Sequence, residues 1–137
     1  MSQKALSDAI YDALAADQTA GTLFDDLGGN LFWINGPSES ATPLMTWQFV
    51  GDVPEDFFDA ADDLQDVSVQ FDLYTNRNTS GGSHDVIREK AHALLHRVFL
   101  TATGFGEVQC WIDDKGGSPI ADGDSLRTTM SGTLYAQ

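Results

Sequence analysis

A strand pattern and a helix pattern meet in residues 66–99, DVSVQFDLYTNRNTSGGSHDVIREKAHALLHRVF. Apolar and polar residues alternate over Asp66–Thr75, which is the period of a strand with one buried face. A polar loop rich in Gly and Ser follows, and Ser83 is placed to cap a helix. Apolar residues at helical spacing then predict a helix that ends near Phe99. The apolar stripe of this helix consists of Ile87, Ala91, Leu94, Leu95, Val98 and Phe99.

The remaining sequence predicts one more helix and four more strands. Ala5, Leu6, Ala9, Ile10, Ala13 and Leu14 repeat at helical spacing, while strand patterns cover 31–34, 44–50, 107–113 and 125–136. The order is helix, three strands, helix, two strands. This order predicts an α+β fold, a two-layer sandwich in which two helices cover a mainly antiparallel sheet of about five strands. The length of 137 residues predicts a single domain over 1–137.

The composition is strongly acidic, with 21 Asp and Glu against seven Lys and Arg, a formal net charge of −14. This charge argues against stable binding to nucleic acid or to an anionic membrane surface. No apolar run approaches the ~18 residues of a membrane-spanning helix, and Asp8 and Asp12 interrupt the apolar pattern that a signal peptide would need. We therefore expect synthesis in the cytoplasm. The single Cys110 lies in an apolar run, which predicts a buried, unreactive thiol.

Two histidines four residues apart, His92 and His96, are the strongest candidates for chemistry. Such a pair can share a metal ion, and Asp85 and Glu89 project from the same side of the helix. The spacing lacks the Glu of the His-Glu-x-x-His motif, so it does not indicate a metalloprotease. A solvated helix flank with Glu–His pairs is the alternative that we favour, and no metal site is predicted.

An aspartate-rich segment near the end of the chain is a second candidate. Asp113, Asp114, Asp122 and Asp124 supply oxygen ligands suited to Ca²⁺, but their spacing does not fit an EF-hand loop. A solvated hairpin is favoured. The fragment 104–106, Gly-Phe-Gly, precedes a strand, whereas a dinucleotide fingerprint follows one. The sequence therefore predicts no enzyme activity and no cofactor.

Three segments carry a resemblance to a known family. They are ALSDAIYDAL at 5–14, VSVQFDLY at 67–74 together with AHALL at 91–95, and LRTTMSGTL at 126–134. In order and hydrophobicity, the chain resembles the tail-terminator, or tail-completion, proteins of long-tailed bacteriophages and phage-like particles. The resemblance covers nearly the full length. The tract 55–64 is longer and more acidic than is typical of that family.

The resemblance implies a virion structural protein assembled in the host cytoplasm. Family members form a homohexameric ring that caps the head-proximal end of the tail tube, stops tube polymerisation and joins the tail to a neck or head-completion protein. DNA would pass through the lumen without specific binding. Six chains at −14 each would carry −84, and a negatively charged lumen would repel phosphate. Asp62 and Asp63 are candidates for this lumen, and an acidic outer surface that favours solubility is the alternative.

Ring formation would also account for the aromatic content. We expect Trp47, Phe57 and Phe58 to be candidates for subunit interfaces, where aromatic residues are enriched. Three other functions remain open. They are another neck, head-completion or minor tail protein, a metal-dependent enzyme built on His92 and His96, and a cytosolic regulatory module.

Overall fold

The computed structural model describes residues 3–33, 43–50, 66–78, 81–102 and 107–136. Three helices lie in these ranges, α1 (Gln3–Leu14), α2 (Leu23–Asp26) and α3 (Gly81–Leu95). The strands are β1 (Leu31–Trp33), β2 (Leu44–Val50), β3 (Asp66–Asn76), β4 (Val98–Thr101), β5 (Glu107–Asp114), β6 (Ile120–Asp122) and β7 (Ser125–Ala136). None of the three helices has the length and apolar character needed to span a bilayer.

The seven described strands form one sheet in the order β1-β2-β3-β7-β5-β4, and β6 pairs with β7 beside β5. The first pair, β1 and β2, is parallel, and the other pairs are antiparallel. The longest pairing joins β3 to β7 from Asp66↔Tyr135 to Asn76↔Ser125. Gly132 of β7 lies so close to β5 that an added Cβ would come within 2.8 Å of the Trp111 carbonyl oxygen. Glycine therefore permits the close approach of these two strands.

One hydrophobic core joins the helices to one face of the sheet. The alternating residues of β3 predicted to be buried, Val67, Val69, Phe71 and Leu73, are all at most 3% exposed. They share the core with Leu6, Ile10 and Leu14 of α1 and with Ala91 and Leu95 of α3. Leu23 of α2 is also buried and Phe24 packs beside the core. Cys110 is buried as predicted, and burial raises the pKa of its thiol to about 12.

The prediction of an α+β fold is confirmed, but the predicted number and order of elements are wrong. The sheet has seven described strands instead of about five, and α2 is an additional helix. Strand β4 was missed because Val98 and Phe99 continue the helical spacing of α3, and β6 because the residues around it are rich in Asp and Gly, as in a turn.

The predicted end of α3 near Phe99 is also wrong, because α3 ends at Leu95. Arg97 has a φ of 63°, a left-handed conformation that no helix continues through. Its backbone N–H donates to the Cys110 carbonyl at 2.7 Å, and Val98 then begins β4. As a result Phe99, which was assigned to the buried stripe of the helix, is 54% exposed.

Candidate functional site

The three histidines lie on helix α3 or directly after it, and the structure separates them into two environments. His92 and His96 lie near its C-terminal end as a stacked pair, with ring centroids 4.8 Å apart and planes inclined by 24°. Both are partly exposed. His84, in the first turn, is fully buried.

The contacts of His96 argue against the predicted alternative of a metal site on this pair. His96 Nδ1 accepts a hydrogen bond from the backbone N–H of Ile112 at 3.0 Å. The neutral ring therefore carries its proton on Nε2, and neither nitrogen offers a free lone pair to a metal. Among the described residues, no group of three or more His, Cys, Asp or Glu side chains is arranged to hold an ion. His96 instead packs edge-on against Trp111, with centroids 5.3 Å apart.

The surroundings of His92 favour its neutral form. Partial burial, followed by the charges of Lys115 and His96, lowers its pKa, and the nearby Glu89 only partly opposes this effect. Glu89 is itself engaged, since Lys115 Nζ donates to its carboxylate at 3.2 Å. The flank is partly exposed, but the ion pairs of Glu89 in the described structure are with Lys115 and Arg88 and not the predicted Glu–His pairs.

The aspartates of the second candidate have separate structural roles. Asp113 accepts a hydrogen bond from the Thr133 hydroxyl at 2.6 Å. Asp114 accepts one from the backbone N–H of Gly116 at 2.8 Å, within the turn after β5. Asp122 lies 3.8 Å from Arg127. These carboxylates stabilise turns and strand pairs in the described structure and do not converge on a common centre.

The sequence analysis missed a buried polar cluster formed by His84 and two threonines. His84 Nδ1 lies 2.8 Å from Thr75 Oγ1 of β3, and Nε2 lies 2.6 Å from Thr128 Oγ1 of β7. A neutral imidazole donates through one nitrogen and accepts through the other, so both of its hydrogen bonds are satisfied. The signal was available, because His84 precedes Ile87 and Ala91 by three and seven residues and so lies on the apolar stripe.

A second missed cluster surrounds Asp72, on the sheet face opposite the core. Asp72 Oδ1 accepts from the Thr129 hydroxyl at 2.6 Å and from Arg127 Nη2 at 3.1 Å, and its Oδ2 accepts from Gln70 at 3.1 Å. Partial burial is the largest single influence on the Arg127 pKa and lowers it, but the charge and hydrogen bond of Asp72, together with Tyr74 and Asp122, raise the pKa overall. These contacts join β3 to β7 through side chains, on the face where the helices do not pack.

The third missed feature is a surface at the β4 end of the sheet. The guanidinium of Arg97 lies 4.9 Å from the centroid of the Trp111 ring. Trp111 Nε1 donates to Gln109 Oε1 at 2.9 Å, and Gln109 Nε2 contacts the Arg97 carbonyl at 3.4 Å. Gln109 is the strand partner of Phe99. We call Arg97, Phe99, Gln109 and Trp111 the β4 patch.

The predicted interface and lumen residues fall in two groups. Trp47 is 2% exposed, and its Nε1 donates to the Ser7 hydroxyl at 3.0 Å. It is therefore a core residue between β2 and α1 and presents no surface to a neighbouring subunit. Phe57, Phe58, Asp62 and Asp63 lie outside the described residues.

Comparisons with known proteins support the fold and leave the function open. No family model matches this chain, and no curated protein matches it. A solved structure whose name states no function matches with a TM-score of 0.66 and 16% sequence identity. The match covers 100% of this chain and 96% of that chain. At this identity the likeness shows a shared α+β fold and nothing about activity or partners.

Proposed function

We propose that this protein is a tail terminator of a long-tailed phage or phage-like particle. In this role it caps the head-proximal end of the tail tube as a ring, most simply a hexamer, and stops tube polymerisation. It also presents the surface to which a neck or head-completion protein attaches. DNA crosses the lumen without specific binding, in keeping with a chain of net charge −14.

The observation that carries the proposal is how the three segments of the family resemblance meet. The segment 67–74 in β3 pairs directly with 126–134 in β7. The segment 5–14 in α1 contributes Leu6, Ile10 and Leu14 to the core, and the segment 91–95 in α3 contributes Ala91 and Leu95. A resemblance spread over distant parts of the sequence therefore corresponds to one packed unit, which supports a common fold with the family.

The metal-dependent alternative receives no comparable support. It requires His92 and His96 to direct lone pairs at one ion, whereas the Nδ1 of His96 is used by the Ile112 amide. The two rings stack on each other, with centroids 4.8 Å apart.

The test is tube polymerisation in the presence of this chain. Tube protein from the same particle is allowed to polymerise alone, with this chain, and with an unrelated acidic protein of similar net charge. We expect short tubes with a ring at one end only in the sample that contains both the tube protein and this chain. Tube lengths are measured in negative-stain electron micrographs. The acidic control excludes a general effect of charge on polymerisation.

The other neck functions give a different result in the same experiment. A head-completion or minor tail protein would leave tube length unchanged and would bind other neck components. Tubes that grow to their usual length and carry no ring would therefore contradict the terminator proposal. The placement of Asp62 and Asp63 requires a density map of the assembled ring, where a position on the outer wall would exclude their role in the lumen.

A further inference from the structure

Strand β4 ends the sheet on one side and combines an open edge with apolar exposure. Among the described strands it pairs with β5 alone. An edge strand offers unpaired backbone N–H and C=O groups to another chain, and natural proteins usually protect such edges with charge, proline or a covering segment. Here the middle of the edge carries Phe99, which is 54% exposed.

The outer face next to this edge has the composition of an interface centre. Phe99 and Gln109 are directly opposed in the strand register, and Trp111 lies two residues further along β5 on the same face. Arg97 stacks on Trp111, and His96 contacts the same ring from another side. Trp and Arg are the residues that most often dominate binding energy at interfaces, and here their rings and guanidinium are already ordered by mutual contact.

Charge distinguishes Arg97 from most other cations of the chain. Five of the seven Lys and Arg residues form salt bridges, namely Lys4, Arg88, Lys90, Lys115 and Arg127. Within the described part of the chain, Arg97 contacts Trp111 and pairs with no carboxylate. It is an exposed cation on a molecule of net charge −14, so the surface most complementary to it is an acidic one.

We propose that the β4 patch binds an acidic surface of a second copy of this chain, with the β4 edge and Phe99 buried in the contact. The inference rests on the proposed ring and adds the surface that would build it. The four patch residues carry no carboxylate, and the exposed acids Glu107 and Asp113 flank them on the same face of β5. A head-to-tail contact presents the patch to a different, acidic surface of the neighbouring copy, and head-to-tail contacts are the ones that close into rings.

The test compares matched substitutions by size-exclusion chromatography with light scattering over a range of concentrations. Arg97→Glu and Phe99→Asp act on the patch. Lys4→Glu makes the same charge change on α1, at a side chain that is 73% exposed. Ile120→Asp makes the same apolar-to-acidic change at a residue that is 64% exposed on β6. Circular dichroism and thermal unfolding confirm that each variant is folded.

We expect the wild type to assemble beyond two chains and both patch variants to raise the concentration for half-assembly at least about tenfold. The two control variants should assemble like the wild type. Hydrogen exchange should show the β4 amides that point away from β5 protected in the assembly and open in Arg97→Glu.

The failures of the two proposals are distinguishable. Assembly that is unchanged in Arg97→Glu and Phe99→Asp would overturn the β4 patch and leave the ring intact. A wild-type mass of two chains, abolished by the same variants, would overturn the head-to-tail contact. If the wild-type chain has a mass of 14.8 kDa in solution and also fails to arrest tube growth, the ring and the patch would both be overturned.

Discussion

The two ends of α3 place the same residue type in opposite environments. At the N-terminal end His84 is fully buried, with both ring nitrogens within hydrogen-bond distance of threonine hydroxyls. At the C-terminal end His92 and His96 stack at the surface, beside Trp111 and Arg97. The first arrangement closes the core between β3 and β7. The second arrangement fixes the side chains of a surface and leaves that surface exposed, as a binding site requires.

The comparison shows that spacing alone does not assign a role to histidine. The pair at i and i+4 attracts attention because metal sites use this spacing. The isolated His84 has the stronger structural constraint, since an unpaired polar group in the core costs more than one in water.

Replacing His84 by alanine should have the largest effect. The substitution His84→Ala leaves a cavity and removes the partners of the Thr75 and Thr128 hydroxyls, both of which are buried. We expect a loss of about 3 kcal/mol in the free energy of unfolding, measured by urea denaturation. The matched control His92→Ala, at the partly exposed end of the same helix, should cost less than about 1 kcal/mol. Equal losses would contradict the contrast between the two ends.

The buried end should also make stability depend on pH. Burial lowers the pKa of His84, while Asp85 opposes this shift and Arg88 reinforces it. As pH falls below about 6.5, the unfolded chain gains a proton at this position before the folded chain does. The free energy of unfolding should therefore decrease, by at most about 1.4 kcal/mol per pH unit from this one group, until the folded-state pKa is reached.

A variant without the imidazole isolates this contribution. His84→Gln should show a shallower fall in unfolding free energy just below pH 6.5 than the wild type. His92→Gln serves as the control, because the pKa of His92 is lowered in the same direction at a less buried position. An identical pH dependence in wild type and His84→Gln would contradict the assignment.

Much of the central sheet and helix could be predicted from sequence. The alternation in β3 and β7 extends over eleven and twelve residues, and the buried sets follow it. Long periodic segments give many independent observations of the same face. The segment 96–101 is too short to show a period of its own. Its apolar residues Val98 and Phe99 extend the helical stripe of α3 without interruption. The helix ends because Arg97 adopts a positive φ, which no residue preference of Arg indicates.

The candidate surface was missed for the same reason. Arg97, Phe99 and Trp111 come together only when β4 turns back along β5. With α3 continued to Phe99, these three residues would be dispersed. The Asp72 cluster was missed differently, because it requires the register between β3 and β7, where Asp72 lies opposite Thr129. Sequence periodicity assigns faces but not strand partners.

The cost of the left-handed backbone conformation of Arg97, just after the C-terminal end of α3, can be measured with two substitutions at this residue. Both Arg97→Gly and Arg97→Ala remove the guanidinium and its contact with Trp111, so the difference between them reports on the backbone. Glycine adopts a φ of 63° without steric cost, whereas alanine does not. We expect the glycine variant to be more stable by about 1 kcal/mol in urea denaturation. An alanine variant of equal or greater stability would show that the left-handed conformation is not retained.

The smallest expected effect concerns metal binding at the surface pair. Stable Zn²⁺ binding would require His96 to free its Nδ1 from the Ile112 amide or to lose the proton on Nε2. Calorimetric titration with Zn²⁺ should therefore give the same weak heats for the wild type, His92→Asn and His96→Asn. Stoichiometric binding lost in both variants would instead show that the ring turns to release Nδ1. In that case the two ends of α3 would differ in mobility as well as burial, since His84 is held through both nitrogens and His96 through one.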